Sequence, residues 1–256
     1  MLSYQHLYHA GNLADVHKHA ALAWVLDYMT RKDKPLTYIE THGGRGLYDL
    51  AAPEAVKTGE AAAGIGRARG WFPADQPYAR VLDAAQAAGG ADAYPGSPWI
   101  ASHILREADQ THLAELHPAE RAALARALPR AHIHARDGFE MAHALCPPSP
   151  RRGLMLIDPS YEVKAEYDAI PDHLRKITRA WPVGVVMLWY PILTDARHGA
   201  MLRALRTSLP EGLTDEVRFP PVRAGHRMTG SGLFVVNPPW GLDAMLQDLG
   251  CHFAQL

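Results

Sequence analysis

The sequence has very little cysteine, no long apolar run and almost no net charge, and each lack closes a route. Two cysteines in 256 residues, Cys146 and Cys251, make neither a disulfide framework nor a four-cysteine zinc site. No apolar stretch reaches the roughly 18 residues that span a bilayer. The opening Met1-Leu2-Ser3-Tyr4-Gln5-His6 has no basic region followed by an apolar one, so neither a membrane anchor nor a signal peptide is expected. A formal net charge of −1 neither points to a polyanionic partner nor excludes one. The basic clusters Arg31, Lys32 and Lys34, then Arg151 and Arg152, then Arg218, Arg223 and Arg227, each read as solvated mixed surface. What remains, 48% hydrophobic and 21% charged, is the composition of a globular protein long enough to bury a full core. A cytoplasmic enzyme is the expectation.

Hydrophobic spacing predicts a helix over Ala14–Thr30 with Asn12 as its cap. A β-rich run, Leu36–Thr41, follows and leads directly into His42-Gly43-Gly44-Arg45-Gly46, the strand-then-glycine-turn arrangement that cradles nucleotide-like ligands in α/β folds. From Leu47 to Gly96 the texture becomes Ala-rich helix with Gly and Pro breaks. Two helices are expected there, Thr58–Phe72 and Tyr78–Ala88, and no strand. Further strands are predicted at Thr111–Leu116, Ala131–Arg136, Gly153–Asp158, Val183–Trp189, Leu213–Phe219 and Gly232–Asn237. Helices are predicted at Trp99–Glu107, Ala119–Leu128, Ala165–Ala180 and Thr194–Ser208. Such alternation argues for a mostly parallel sheet covered on both faces. The expected organisation is one α/β domain, residues 1–46 and 97–256, with residues 47–96 as an inserted helical subdomain.

In a doubly wound sheet, ligands lie at the carboxyl ends of the strands. Those ends carry Glu40 with the glycine turn, Glu115, Asp137-Gly138, and Asp158. An acid closing the second strand is placed to accept from two ribose hydroxyls, and a polar residue after the third can reach an adenine amino group. The set suits the adenosine of S-adenosylmethionine better than a dinucleotide, because Asp49 stands where the third glycine of a dinucleotide fingerprint would fall.

The segment Gly153-Leu154-Met155-Leu156-Ile157-Asp158-Pro159-Ser160-Tyr161 adds a reaction type. A short apolar run bounded by Gly and Pro reads as a buried strand, ending in a carboxylate, a proline and an aromatic ring. An exocyclic amino nitrogen is a poor nucleophile, since its lone pair is delocalised into the ring. Accepting its two hydrogens at the Asp158 carboxylate and the Pro159 carbonyl favours a more pyramidal nitrogen. Tyr161 is expected to stack on the base, and methyl transfer then needs chiefly positioning. An ordinary strand end with a Pro-Ser turn is the plain alternative.

Two other motifs compete. Asn237-Pro238-Pro239-Trp240 also brings an amide, prolines and an aromatic together, but reads as a strand terminus with structural prolines. His17-Lys18-His19 has a metal-ligand spacing that Asp15 and Asp158 could complete into a hydrolase site. Residues two apart on a helix face different directions, however, so no metal is expected, and the segment bearing His6, His9, His17 and His19 reads as a cover over the pocket.

The chain resembles the RlmJ family of ribosomal-RNA adenine-N6 methyltransferases. The matching segments are Leu2-Ser3-Tyr4, His6, His9-Ala10-Gly11-Asn12, Ala14-Asp15-Val16, Lys18-His19, Thr41-His42 and Tyr94-Pro95-Gly96-Ser97-Pro98. They continue with Glu115-Leu116-His117-Pro118, Asp137-Gly138-Phe139, Arg151-Arg152-Gly153, Asp158-Pro159, Leu188-Trp189-Tyr190-Pro191 and Asn237-Pro238-Pro239-Trp240. The resemblance implies a Rossmann-like class I methyltransferase sheet, S-adenosylmethionine as methyl donor, and adenine N6 of 23S ribosomal RNA as target. It implies cofactor contacts from His19, His42, Ser97, Glu115, Asp137, Gly138 and Asp158, with Asp158 also catalytic. Tyr4 and Lys18 would join Pro159 and Tyr161 on the substrate side. The expected partner is naked or early-assembly 23S RNA, bound by a monomer. Two positions depart from the family pattern: Ser160 replaces a second proline and Glu40 an aspartate. The rival class is an RNA-binding module of the same fold whose turnover Ser160 has removed.

Overall fold

The computed structural model describes residues 5–223 and 225–256. Its strands are β1 (Thr37–Glu40), β2 (Leu47–Asp49), β3 (Ala93–Pro95), β4 (Gln110–Ala114), β5 (His132–His134), β6 (Gly153–Ile157), β7 (Val185–Leu193), β8 (Leu213–Arg218) and β9 (Met228–Val236). Its helices are α1 (Leu13–Thr30), α2 (Pro53–Thr58), α3 (Glu60–Ala63), α4 (Ile65–Ala68), α5 (Pro77–Gly89), α6 (Ser97–Ile104), α7 (Pro118–Ala127), α8 (Gly138–Leu145), α9 (Ala165–Ala180), α10 (His198–Ser208) and α11 (Leu242–Phe253).

Seven strands make the main sheet in the order β5-β4-β1-β6-β7-β9-β8. The strands from β5 to β7 are parallel, while β9 runs antiparallel to both β7 and β8. A parallel sheet with an antiparallel hairpin at one edge, its strand order reversing beside β1, is the class I methyltransferase arrangement and puts the ligand crevice at the carboxyl ends of β1, β4 and β6. No helix among the described residues is long and apolar enough to cross a membrane.

The central strands are buried on both faces, and the period of two shows which residue serves which face. Tyr38, Leu154, Leu156 and Met187 join α1, α11 and the segment around Tyr48 and Tyr78 in one core. Ile39, Met155, Ile157, Val186 and Leu188 face α8, α9 and α10 in the other. Cutting one such side chain, Leu156→Ala, costs about 2–5 kcal/mol. Helix α1 is buried nearly all round because the sheet, α5, α6 and α11 all pack on it. Its start is as the sequence predicts, with the Asn12 side chain accepting from Asp15 N at 2.8 Å.

Several expectations change. Residues 47–96 are not purely helical: Leu47↔Pro95 and Asp49↔Ala93 pair in an antiparallel ribbon. The helix predicted over Thr58–Phe72 is broken into α3, α4 and a 3₁₀ turn. The break falls at Gly64, where the backbone passes so close to Gly11 that a Cβ would lie 2.1 Å from its carbonyl. Strand β7 continues four residues past its predicted end, through Pro191. That proline is tolerated because β6 pairs only with Val185–Leu188, so the missing N–H costs no ladder bond on that side. Helices α8 and α11 were not anticipated.

Candidate active site

Three successive side chains of α1 point to three destinations. His17 goes to the hairpin edge, bonding Ser231 and Asp215. His19 turns to β3, its Nδ1 2.9 Å from the Tyr94 hydroxyl. Lys18 lies between them and reaches the end of β6. The 17–19 pair therefore does not converge, for the helical reason the sequence suggested.

Lys18 is 3% exposed. Its Nζ donates to Asp158 Oδ2 at 2.6 Å and contacts Asp15 Oδ1 at 3.0 Å. Burial works to lower its pKa, but the Asp158 and Asp15 carboxylates outweigh burial and raise it above the ordinary lysine value. Asp15 is itself a hub. It accepts from Gly11 N at 2.9 Å and pairs with His6 Nε2 at 2.8 Å. Burial opposes its charge, yet His6 and Lys18 hold its carboxyl well below the usual range. These bonds tie His6 and Gly11 to α1, and of the histidines expected in a cover His6 and His19 line the cleft while His9 bonds Glu60 and His17 the hairpin.

The cleft itself holds about 360 Å³, within the range of small-molecule sites. Lys18, His19, His42, Ser97, Glu115, Asp137, Gly138, Asp158 and Pro159 all line it, so the structure brings nine of the sequence-predicted positions to one surface. Glu115, at the end of β4, accepts Gly44 N at 2.8 Å and His117 N at 2.6 Å. Burial pushes its pKa up despite these bonds. Gly44 has φ +59°, and a Cβ there would lie 2.4 Å from the Tyr48 hydroxyl; glycine is what lets the turn close onto the acid. Asp137 caps α8, its Oδ1 accepting from Phe139 N at 2.9 Å and Glu140 N at 3.0 Å. A Cβ on Gly138 would stand 2.1 Å from the Thr41 carbonyl, so backbone meets backbone there. His42 Nδ1 lies 2.8 Å from Thr41 Oγ1, and burial lowers its pKa. Glu40, wholly buried, takes hydroxyl donors from Tyr38 at 2.7 Å and from Ser97.

Does this surface fit the adenosine-bearing cofactor? His19 answers on its own evidence. Burial drives its pKa down to about 3, so the ring is neutral, and its buried Nε2 has no hydrogen-bond partner among the described residues. The Asp15 carboxylate stands 3.6 Å off, beyond hydrogen-bond reach, and a buried polar atom without a hydrogen bond in a cleft wall is a place where a ligand completes the bonding. Together with the Glu115 carboxylate in the same cleft wall, the residues fit the group.

Two substrate-side expectations need comment. Tyr161 does not line the cleft: it has φ 56°, and its ring packs on Tyr167 at 4.6 Å in the core. Its hydroxyl donates to the Trp189 carbonyl at 2.7 Å. As placed, it anchors the turn and offers no face to a base, which corrects the stacking role. Tyr4 lies outside the described residues. Asn237 donates to the Pro182 and Gly184 carbonyls, and Trp240 is exposed. Because β9 is antiparallel, that motif ends at the opposite edge of the sheet from the cleft. His6, read from the sequence only as part of a cover, lines the cleft, as does Tyr48, which sequence reasoning did not single out. The histidine-dense start was the one available signal for His6, and Tyr48 carried none.

A family model described as "RsmJ: Ribosomal RNA large subunit methyltransferase D, RlmJ" matches residues 33–256. The chain belongs to this family. It is 38% identical to "Ribosomal RNA large subunit methyltransferase J" of Escherichia coli K12, covering 97% of this chain and 91% of that protein. The protein of the same description from Haemophilus influenzae is 35% identical over 97% of this chain and 92% of its own. A crystal structure of a Legionella pneumophila protein is 34% identical, superposes with a TM-score of 0.86, and covers 96% of this chain and 93% of that one.

Proposed function

We propose that the protein transfers a methyl group from S-adenosylmethionine to N6 of an adenine in 23S ribosomal RNA. One observation carries the reading. A carboxylate, Asp158, follows the central strand β6 at the cleft floor, 14% exposed, with a proline next in chain and a buried ammonium fixed on its Oδ2. Bound in the cleft, S-adenosylmethionine supplies a methyl carbon on a good leaving group. The chain's own residues do the rest. Glu115 accepts from the ribose hydroxyls, and Asp137 and Gly138 border the adenine end. His19, His42 and Ser97 contribute further polar contacts. With Lys18 on Oδ2, Asp158 Oδ1 and the Pro159 carbonyl are assigned to the two hydrogens of the substrate amino group. Holding both favours a nucleophilic lone pair aimed at the methyl carbon, and the nitrogen's excess proton leaves along one of these bonds. Tyr4 is the proposed aromatic contact to the base.

The target base must leave its stack, at roughly a few kcal/mol, which an unpaired or early-assembly RNA element makes cheaper. The proposed setting is a cytoplasmic monomer acting on RNA with little or no bound protein. The test is transfer of labelled methyl from S-adenosylmethionine to deproteinised ribosomal RNA, followed by nucleoside analysis. Label in N6-methyladenosine supports the proposal, and label in another nucleoside contradicts it. RNA binding without incorporation would instead favour the RNA-binding module that Ser160 raises.

A further inference from the structure

Behind the active site runs a buried chain of side chains that the proposed reaction does not use. Asp215 Oδ2 lies 2.8 Å from His17 Nε2, and His17 Nδ1 lies 2.9 Å from Ser231 Oγ. The order Asp–His–Ser resembles a hydrolytic triad, but His17 and Ser231 are both wholly buried. The serine oxygen is already engaged: Trp189 Nε1 donates to it at 2.9 Å. No substrate reaches it.

The indole N–H can only donate, which fixes the direction of its own bond to Ser231. Ser231 accepts from it, and among the described residues His17 Nδ1 is placed to take the serine proton. In that arrangement the tautomer with its hydrogen on Nε2 directs it at Asp215, whose side chain is 23% exposed. Every donor and acceptor is then satisfied in a place where an unpaired one is expensive.

Trp189 is where this chain meets the catalytic turn, and it does so twice. Its ring centroid lies 5.5 Å from Lys18 Nζ, the ammonium that grips Asp158 Oδ2. Its main-chain carbonyl accepts the Tyr161 hydroxyl, three residues past Asp158. A cation held against an indole face cannot swing without losing that attraction, which desolvation strengthens.

We propose that Trp189 is a positioning residue for Asp158, acting through Lys18 on one side and Tyr161 on the other, and that the Asp215–His17–Ser231 chain sets the plane of its indole. This rests on the assignment of Asp158 as the acceptor for the substrate amino group. Ser231 then influences the reaction only by way of the Trp189 N–H.

A double-mutant cycle tests this. Ser231→Ala lowers kcat on the order of tenfold, the scale of one lost buried hydrogen bond, and leaves KM for RNA and for S-adenosylmethionine unchanged. Trp189→Phe keeps a ring face but no N–H, and Trp189→Leu keeps neither, so kcat falls in that order. In the Trp189→Phe background, Ser231→Ala has no further effect. An equal loss from Ser231→Ala in both backgrounds, or a change confined to KM, overturns the proposal. If Ser231→Ala does not fold, Asp215→Asn takes its place with the same two outcomes. If the wild type transfers no methyl, the proposed function falls while the positioning is still read from crystal structures. Lys18 Nζ displaced from Asp158 in Trp189→Leu supports it, and Nζ still bonded to Oδ2 overturns it.

Discussion

Glu40 and Asp158 end neighbouring parallel strands, yet their surroundings make them different groups. Glu40 is wholly buried and meets two hydroxyls, from Tyr38 and Ser97. Burial pushes its pKa up to about 8, more than the hydroxyl bonds pull it down. Asp158 opens onto the cleft and meets an ammonium that keeps its proton. Two hydroxyls do not offset the burial of a carboxylate, whereas a paired cation does much more. So acids at the ends of neighbouring strands, with Glu40 level with Leu156 and two positions short of Asp158, divide between a buried hydroxyl-bonded hub and a group open to the cleft, to which the proposed reaction is assigned.

The largest effect that sharpens this contrast is expected at Asp158. Asp158→Ala should lower methyl transfer by about 10³-fold or more with the fold retained, checked by labelled transfer and circular dichroism. Next comes the cation. Lys18→Met leaves the buried Asp15 and the half-buried Asp158 without it, and removing one partner of a buried pair costs about 3–5 kcal/mol, read from denaturant melts. The double variant Lys18→Met/Asp15→Asn should recover part of that loss. Glu40→Gln should act on pH dependence instead. A folded-state pKa raised from 4.5 to about 8 means a contribution fully present below the lower value and lost as pH rises through the upper one. Melting temperatures of Glu40→Gln and wild type should therefore differ little at about pH 5 and separate, in favour of the variant, towards about pH 9. A constant difference across that range would break the contrast. The smallest effect is expected for Ser160→Pro, which restores the family pattern: kcat should stay within about threefold, on the upward side. A large gain would instead make Ser160 the reason for weak turnover.

Much of the site was legible because it is written locally. A strand followed by glycines, an acid at a strand end, and Asp-Pro after an apolar run are all adjacent residues, and the fold carries adjacent residues to one edge. Helix α9 was read to the residue, since Tyr167, Ile170, Leu174 and Ile177 repeat at helical spacing and are the ones buried. What escaped depends on distant partners. Strands β2 and β3 are three residues each, too short for any period, and exist because they pair with each other. Tyr161 was misplaced because nothing in its neighbours announces a left-handed backbone turning its ring into the core. The His17–Ser231 contact joins residues 214 apart in the chain, so His17 read as part of a histidine-rich run with a metal-like spacing and not as a partner of the hairpin.

The most direct measurement is made on Asp158→Asn, with calorimetric binding of S-adenosylmethionine and single-turnover methyl transfer to ribosomal RNA followed side by side. The expected result is cofactor affinity within about tenfold of wild type and transfer reduced by about 10³-fold or more. Transfer at the wild-type rate, with N6-methyladenosine still formed, would contradict the role given to this carboxylate.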